Sequence, residues 1–282
     1  MFDHYLITRF NLRYEKWEFT KNNESLLTDE WMDDRMWLFE SFCFPSVVAQ
    51  TNKNFKWLLF FDTTTTEKFK LRIENLIQSY AHIELYYVDG MPSFLPETLS
   101  ILEKQKQHPY LITTRIDNDD TLHRNFIDEV QQQFDRQDFR LIDIISGYSL
   151  KIKPWMLGKK EHLFNPFVSL IEKHEQPKTV WSAAHTIWKK ETRITRISDK
   201  RLWLSIIHQK NKINEFDGYD DVKWDDIKAD FIVSDEISER IQQNLMPYKK
   251  WWLLGLKNKI GIKYTVLSKN LKRNLGIYKL KK

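Results

Sequence analysis

The stretch Tyr110-Leu111-Ile112-Thr113-Thr114-Arg115-Ile116-Asp117-Asn118-Asp119-Asp120 passes from an apolar, β-branched run into three aspartates within four residues. Residues 110–116 read as a strand and the acidic group as its end. If 117–119 continues the strand, Asp117 and Asp119 share one side, with Asn118 and Asp120 opposite. Carboxylate oxygens suit hard cations, Mg²⁺ or Mn²⁺, which take one or two protein carboxylates and complete their shells with phosphate oxygens. The plainer alternative is an acidic turn that caps a following helix.

Context separates the two. Strand-like runs recur at 4–10, 57–61, 83–88, 110–116 and 141–145, with helical patterns at about 31–52, 66–80, 96–107 and 122–135. Pro45 and Pro96 suit helix starts, as does Thr66-Glu67. Such alternation predicts an α/β fold: a mostly parallel sheet with helices on both faces. Ligands then bind beyond the carboxyl ends of the strands. Arg9 and Asn11, Asp62, Asp89 and Asp117–Asp120 stand there, so three of the first four strands end in aspartate. Beyond 150 the pattern reads as a strand over 179–188, a helix at about 199–211 and an irregular acidic stretch from Asp217 to Asp226. No glycine-rich phosphate loop occurs, so phosphates fall to metal and basic side chains.

Composition bounds the rest. The 282 residues are 41% hydrophobic and 29% charged, with seven glycines and one cysteine, Cys43. That excludes an internal disulfide and a CxxC zinc site, and fits a reducing cytoplasm. No run of about 18 apolar residues and no basic-then-apolar leader occurs, so neither a membrane span nor a signal peptide is expected. From Arg240 onward there are twelve Lys/Arg and no acid, leaving the preceding 239 residues at −7 against a total of +5. An acidic body without a recognised module argues against nucleic acid.

The segment PSVVAQTNKNFKWLLFFD (45–62) resembles the helix and second strand of family-2 glycosyltransferases, and RIDNDD (115–120) resembles their Asp-x-Asp-Asp strand end. TRFNLR (8–13), TVWSAAH (179–185) and LWLSIIHQKN (202–211) are similar to a narrower group, the bacterial rhamnosyltransferase family. The sequence departs from the broad family at Asp62-Thr63-Thr64, where Asp-Gly-Ser is usual, and over 96–107. The resemblance implies a GT-A fold and a nucleotide-sugar donor, UDP- or dTDP-linked. It implies that Thr8, Arg9, Asn11, Asp62, Arg115, Asp117 and Asp120 line the donor. Asp117 and Asp119 hold the metal, joined by His208, with His185 as second choice. An inverting transfer needs a carboxylate base near the acceptor hydroxyl. Asp199 is expected in that role, opening a helix over 200–208, with Asp143, Glu172 and Glu191 as alternatives. A Ser-Asp pair before a helix is equally an ordinary N-cap.

Leu256, Ile260, Tyr264, Leu267, Leu271, Leu275 and Tyr278 recur at steps of three and four, one face of a helix, with lysines around it. The chain therefore divides into a transferase domain over 1–245 and a basic amphipathic tail over 246–282. The tail either docks peripherally on an anionic inner membrane face or packs on the body. The expected reaction moves a sugar, rhamnose being the family's suggestion, to a cell-surface glycan or lipid-linked precursor. A nucleotidyltransferase and a non-catalytic membrane-binding module are the other readings.

Overall fold

The structure, a computed structural model, describes residues 1–14, 28–209 and 215–277. Its elements run β1 (Phe2–Arg9), α1 (Asp29–Leu38), α2 (Phe44–Val48), β2 (Lys56–Asp62), α3 (Glu67–Ile77), β3 (Ile83–Val88), α4 (Gly90–Lys104), β4 (Tyr110–Arg115), β5 (Thr121–Leu122), α5 (Phe126–Gln131), β6 (Phe139–Ile144), β7 (Ser146–Ile152), β8 (Trp155–Glu161), β9 (Ser169–Lys173), β10 (Ile194–Ile197), β11 (Trp203–Ile207), α6 (Asp235–Asn244) and α7 (Trp252–Asn274). Five π-helical residues, Phe39–Cys43, join α1 to α2.

Among the described residues seven strands form one sheet in the order β10-β6-β9-β4-β1-β2-β3. All pairings are parallel except those of β9, which runs against both β4 and β6. This is the mostly parallel α/β sheet that the alternation of strands and helices predicts. β2 shows why it forms: Trp57, Leu59 and Phe61 enter one core with α1, α2, α3 and α5, while Leu58 and Phe60 enter a second with α4 and the 163–188 segment. A strand buried on both faces needs such a continuous hydrophobic run. A smaller sheet, β5-β11-β7-β8, packs on α6 and on Leu38 and Phe42.

Several predicted elements differ. The helix expected at 199–211 is strand β11, buried at all five positions between β7 and β5. Short apolar runs are ambiguous between helix and strand, and here sheet pairing decides. Asp199 therefore opens no helix. The strand expected at 179–188 is a turn followed by a 3-10 helix, His185–Lys190. Thr179 has φ of 65°, and the amides of Thr179 and Val180 bond the side chains of Glu172 and Thr113 instead of a ladder. Helix α4 begins at Gly90, whose φ of 69° turns the chain off β3, so Pro96 lies inside it. Helix α5 begins at Phe126 because Thr121 and Leu122 pair with β11. Positions 210–211 and Tyr278 lie outside the described residues.

The tail stripe does not pack on the body. Ile260, Tyr264, Leu267 and Leu271 are 57–72% exposed. Helix α7 is instead anchored by a neighbouring face. Asn258 Nδ2 donates to Gly218 O (3.0 Å), Lys259 Nζ to Asp220 (2.8 Å), and Arg196 to Asn270 Oδ1 (2.6 Å), while Val266 packs against the core. Among the described residues no helix is long and apolar enough to cross a membrane.

Candidate active site at the carboxyl end of the sheet

Strand β4 ends at Arg115 and the chain turns at Asn118-Asp119, so the predicted alternation of sides does not hold. Asn118 and Asp119 both face Arg35. Arg35 Nη1 donates to Asp119 Oδ2 at 2.8 Å and to Asn118 Oδ1 at 3.2 Å. Helix α1 delivers this guanidinium, with Trp31 one turn earlier lying 5.2 Å from it. Asn118 in turn donates to Phe10 O across to the end of β1 (3.2 Å).

His208 arrives from the far side. It follows β11, and its Nε2 lies 3.0 Å from Asp119 Oδ2. A carboxylate only accepts, so Nε2 carries the proton in this pair. Asp120 fixes the approach by accepting the Ile206 amide at 2.9 Å, tying β11 to the acidic turn. Burial alone raises the Asp119 carboxyl, but Arg35 and His208 outweigh it and hold the group well below the usual carboxylate range. Asp120 moves the opposite way, pushed up by burial and by the charges of Asp119 and Asp117. Asp117 is more open, 40% exposed at its side chain, with Arg115 Nη2 at 3.7 Å.

Two buried guanidiniums stand beside this turn. Arg9 and Arg115 project from neighbouring strands onto one sheet face, 4.1 and 4.0 Å from the Trp181 ring. Burial, then Arg115, lowers Arg9 to about 10, and burial lowers Arg115 as well, but a guanidinium keeps its charge in a protein. The Nε atoms of both and the Trp181 indole nitrogen are buried without a hydrogen-bond partner. Paired cations with unmet donors at a strand end make a field for an anion.

The other predicted residues sort differently. Thr8 is buried and accepts Trp57 Nε1 (3.0 Å). Asn11 bonds Thr65 and the Asp62 amide, and Asp62 holds Arg13 and Thr64. These three shape the strand-end loops. Arg13 links onward from Asp62 to Asp89. His185 does not join Asp119: its Nδ1 donates to Phe164 O (2.6 Å), although it feels the charges of Arg115 and Asp117. Asp199 is exposed in the bend between β10 and β11, beyond the same end of the sheet. Asp143, Glu172 and Glu191 bond local groups, namely the Phe164 amide, the Lys178 and Thr179 amides, and Arg193.

Sequence reading missed Arg35 and the part played by Trp181. A Trp-x-x-x-Arg spacing on α1, placing both on one helix face, was the available signal for the first.

The donor set suits a hard cation in part. Asp119 Oδ2 and His208 Nε2 converge on one point, but among the described residues no three His, Cys, Asp or Glu side chains group to hold a metal. The protein supplies few ligands, which is how Mg²⁺ or Mn²⁺ sits when a nucleotide's phosphates complete its shell.

Among solved structures, the chain is similar to S. aureus TarS 1-349, with 12% identity over 72% of this chain and 60% of that one and a TM-score of 0.42. TarS 1-349 in complex with UDP-GlcNAc gives 11% identity over 85% and 70%, TM-score 0.44. The inositol-1-phosphate CTP transferase from T. maritima gives 8% over 85% and 95%, TM-score 0.34. The chain thus spans about 60% of the first of these. No curated protein matches in sequence. Residues 3–218 match the family described as "Putative rhamnosyl transferase", and the chain belongs to that family.

Proposed function

We propose that the protein is a metal-dependent glycosyltransferase that moves a hexosyl group, rhamnose being the family's suggestion, from a UDP- or dTDP-linked donor with inversion. The observation that carries this reading is the Asp119–His208–Arg35 cluster beside the buried Arg9–Trp181–Arg115 stack, both at the carboxyl end of a parallel sheet. Asp119 and His208, with Asp117 adjoining, would hold Mg²⁺ or Mn²⁺. When bound, the cation neutralises charge on the departing diphosphate. Arg9 and Arg115 add fixed positive charge on the same side, in a site that burial keeps dry. Arg35 orients Asp119, and Asp120 locks β11 so that His208 stays in register.

Asp199 is the proposed base, taking the acceptor hydroxyl's proton as the sugar is attacked. The acceptor is a cell-surface glycan or its lipid-linked precursor. Attachment of the exposed, basic α7 ridge to an anionic membrane places the enzyme where such acceptors lie.

The test is nucleotide-sugar hydrolysis or transfer by the full chain with Mn²⁺ or Mg²⁺. Asp119→Ala should fold and lower turnover by about 100-fold or more. Full activity in excess chelator would sink the metal reading. Pyrophosphate release from a nucleoside triphosphate would reassign the protein to nucleotidyl transfer.

A further inference from the structure

A cavity of about 510 Å³ opens beyond the carboxyl ends of β6 and β10, with Ser146 and Ser198 in its lining and α7 as one wall. Its construction is specific. A Cβ on Gly158 would lie 2.5 Å from the Tyr219 amide, so β8 and the 217–220 segment meet backbone to backbone. Lys159 and Tyr219 exchange amide bonds there at 2.6 and 2.9 Å. That contact carries the Tyr219 hydroxyl onto Glu161, which also takes Arg201 Nη2 at 2.6 Å. Asp220, at φ of 59°, accepts Lys259 Nζ at 2.8 Å and faces Lys159 at 3.6 Å. Lys263, one turn further along α7, is exposed.

Four cations, Lys159, Arg201, Lys259 and Lys263, thus line a cavity with two carboxylates, Glu161 and Asp220. The acids and the serine and tyrosine hydroxyls match sugar hydroxyls, and two positive charges remain over. Such surplus in a concave wall selects an anion. Between β6 and β4 stands β9, so the carboxyl end of β6, which opens into the cavity, is two strand spacings, roughly 10 Å, from the strand that leads to Asp117.

We infer that this cavity is the acceptor site, and that it takes a saccharide carrying a phosphate or diphosphate. The inference rests on the transferase reading. Position on α7 adds to it: Lys259, Lys263, Val266 and Asn270 line the cavity, while Ile260, Tyr264, Leu267 and Leu271 follow them by one residue each. At about 100° per residue the two faces adjoin, so an apolar tail on the ridge and a phosphate in the cavity belong to one molecule's reach.

The experiment measures binding to the full chain, without divalent metal, of glucose 1-phosphate, free glucose, and vesicles bearing a polyprenyl-diphosphate-linked sugar. Sugar phosphate should bind and glucose should be at least tenfold weaker. Lys259→Ala/Lys263→Ala should weaken the phosphate-bearing ligand at least tenfold, Lys259→Arg/Lys263→Arg should restore it, and the thermal shift given by a nucleoside diphosphate with Mn²⁺ should be kept. If the double variant fails to fold, the exposed single change Lys263→Glu reads the same loss. Preference for the vesicle arm assigns the phosphate to a lipid carrier, and parity assigns it to a soluble glycan. Sugar phosphate bound equally by every cavity variant, or lost with Arg115→Ala instead, overturns the proposal. Loss of the nucleoside diphosphate shift in the unaltered protein fails the transferase reading alone, since cavity binding is read separately.

Discussion

Asp119 Oδ2 receives hydrogen bonds from an arginine and a histidine, and each comes from a different part of the chain. The acidic turn itself is readable at 117–120, because three aspartates after an apolar run are local in sequence. Arg35 and Trp181 are not, since their value comes from meeting strand ends that lie far from them in the chain. Arg115→Ala should raise KM for the nucleotide sugar by about tenfold or more, the scale of one lost charge-assisted hydrogen bond of about 1.5–3 kcal/mol, with turnover at saturation reduced less. Steady-state kinetics on folded protein checks it. A second residue-level prediction concerns acid. His4 is fully buried, its Nδ1 accepting from Gln131 and its Nε2 donating to Thr114 Oγ1, and burial depresses it to about 3. His162, half-buried, is likewise lowered to about 3, by desolvation and then by the charge of Lys160. Between about 6.5 and 3 the unfolded chain binds protons that the folded chain does not, so stability falls as pH drops through that window. Denaturant midpoints at pH 7 and pH 5 should show the loss, and His4→Asn or His4→Gln should flatten the slope; an unchanged slope in that variant counts against His4 as its source.

At the scale of elements, β1 to β4 were legible within about two residues because each is a continuous apolar run between turn signals. Strand β11 was not. Trp203 to Ile207 carries no alternation, and its spacing of Leu204 and Ile207 also suits a helix; only its place between β7 and β5 settles the matter. The 179–188 segment failed for the reverse reason: β-prone residues there serve to seat Trp181 against two guanidiniums. Trp203 also shows how tightly the two sheets are joined. Its indole donates to Ile144 O (2.7 Å), stacks on Phe167 at 4.9 Å, and covers Gly147 so closely that a Cβ there would sit 2.2 Å from the ring. Gly147→Ala should therefore destabilise by roughly 1–3 kcal/mol, as overpacking of a well-filled core does. Because β11 carries His208, the same change should also cut metal-dependent turnover. Thermal unfolding with parallel activity assays tests both.

For the whole molecule, the charge asymmetry seen in the sequence becomes a geometric one. Helix α7 fixes one face to the body and leaves an apolar ridge outward, with lysines on both flanks. Each Lys near an anionic leaflet is worth about 1 kcal/mol. Co-sedimentation with vesicles rich in anionic lipid should be strong at low salt and fall as salt rises, because exposed charges are screened. Replacing Ile260, Leu267 and Leu271 by Ser should abolish it with little change in thermal midpoint, since these side chains are exposed. Binding unaffected by those three changes would assign the ridge elsewhere. The arrangement of the main sheet bears on synthesis as well. In the parallel registers Tyr5 lies opposite Lys56 and Phe2 opposite Tyr110, so β1, translated before both of its partners, becomes an interior strand of the finished sheet. On the ribosome it waits through more than a hundred residues with an edge bare. Long-range parallel pairing of this kind folds slowly and exposes sticky edges meanwhile, which makes the nascent chain a natural client for chaperones until β4 has emerged.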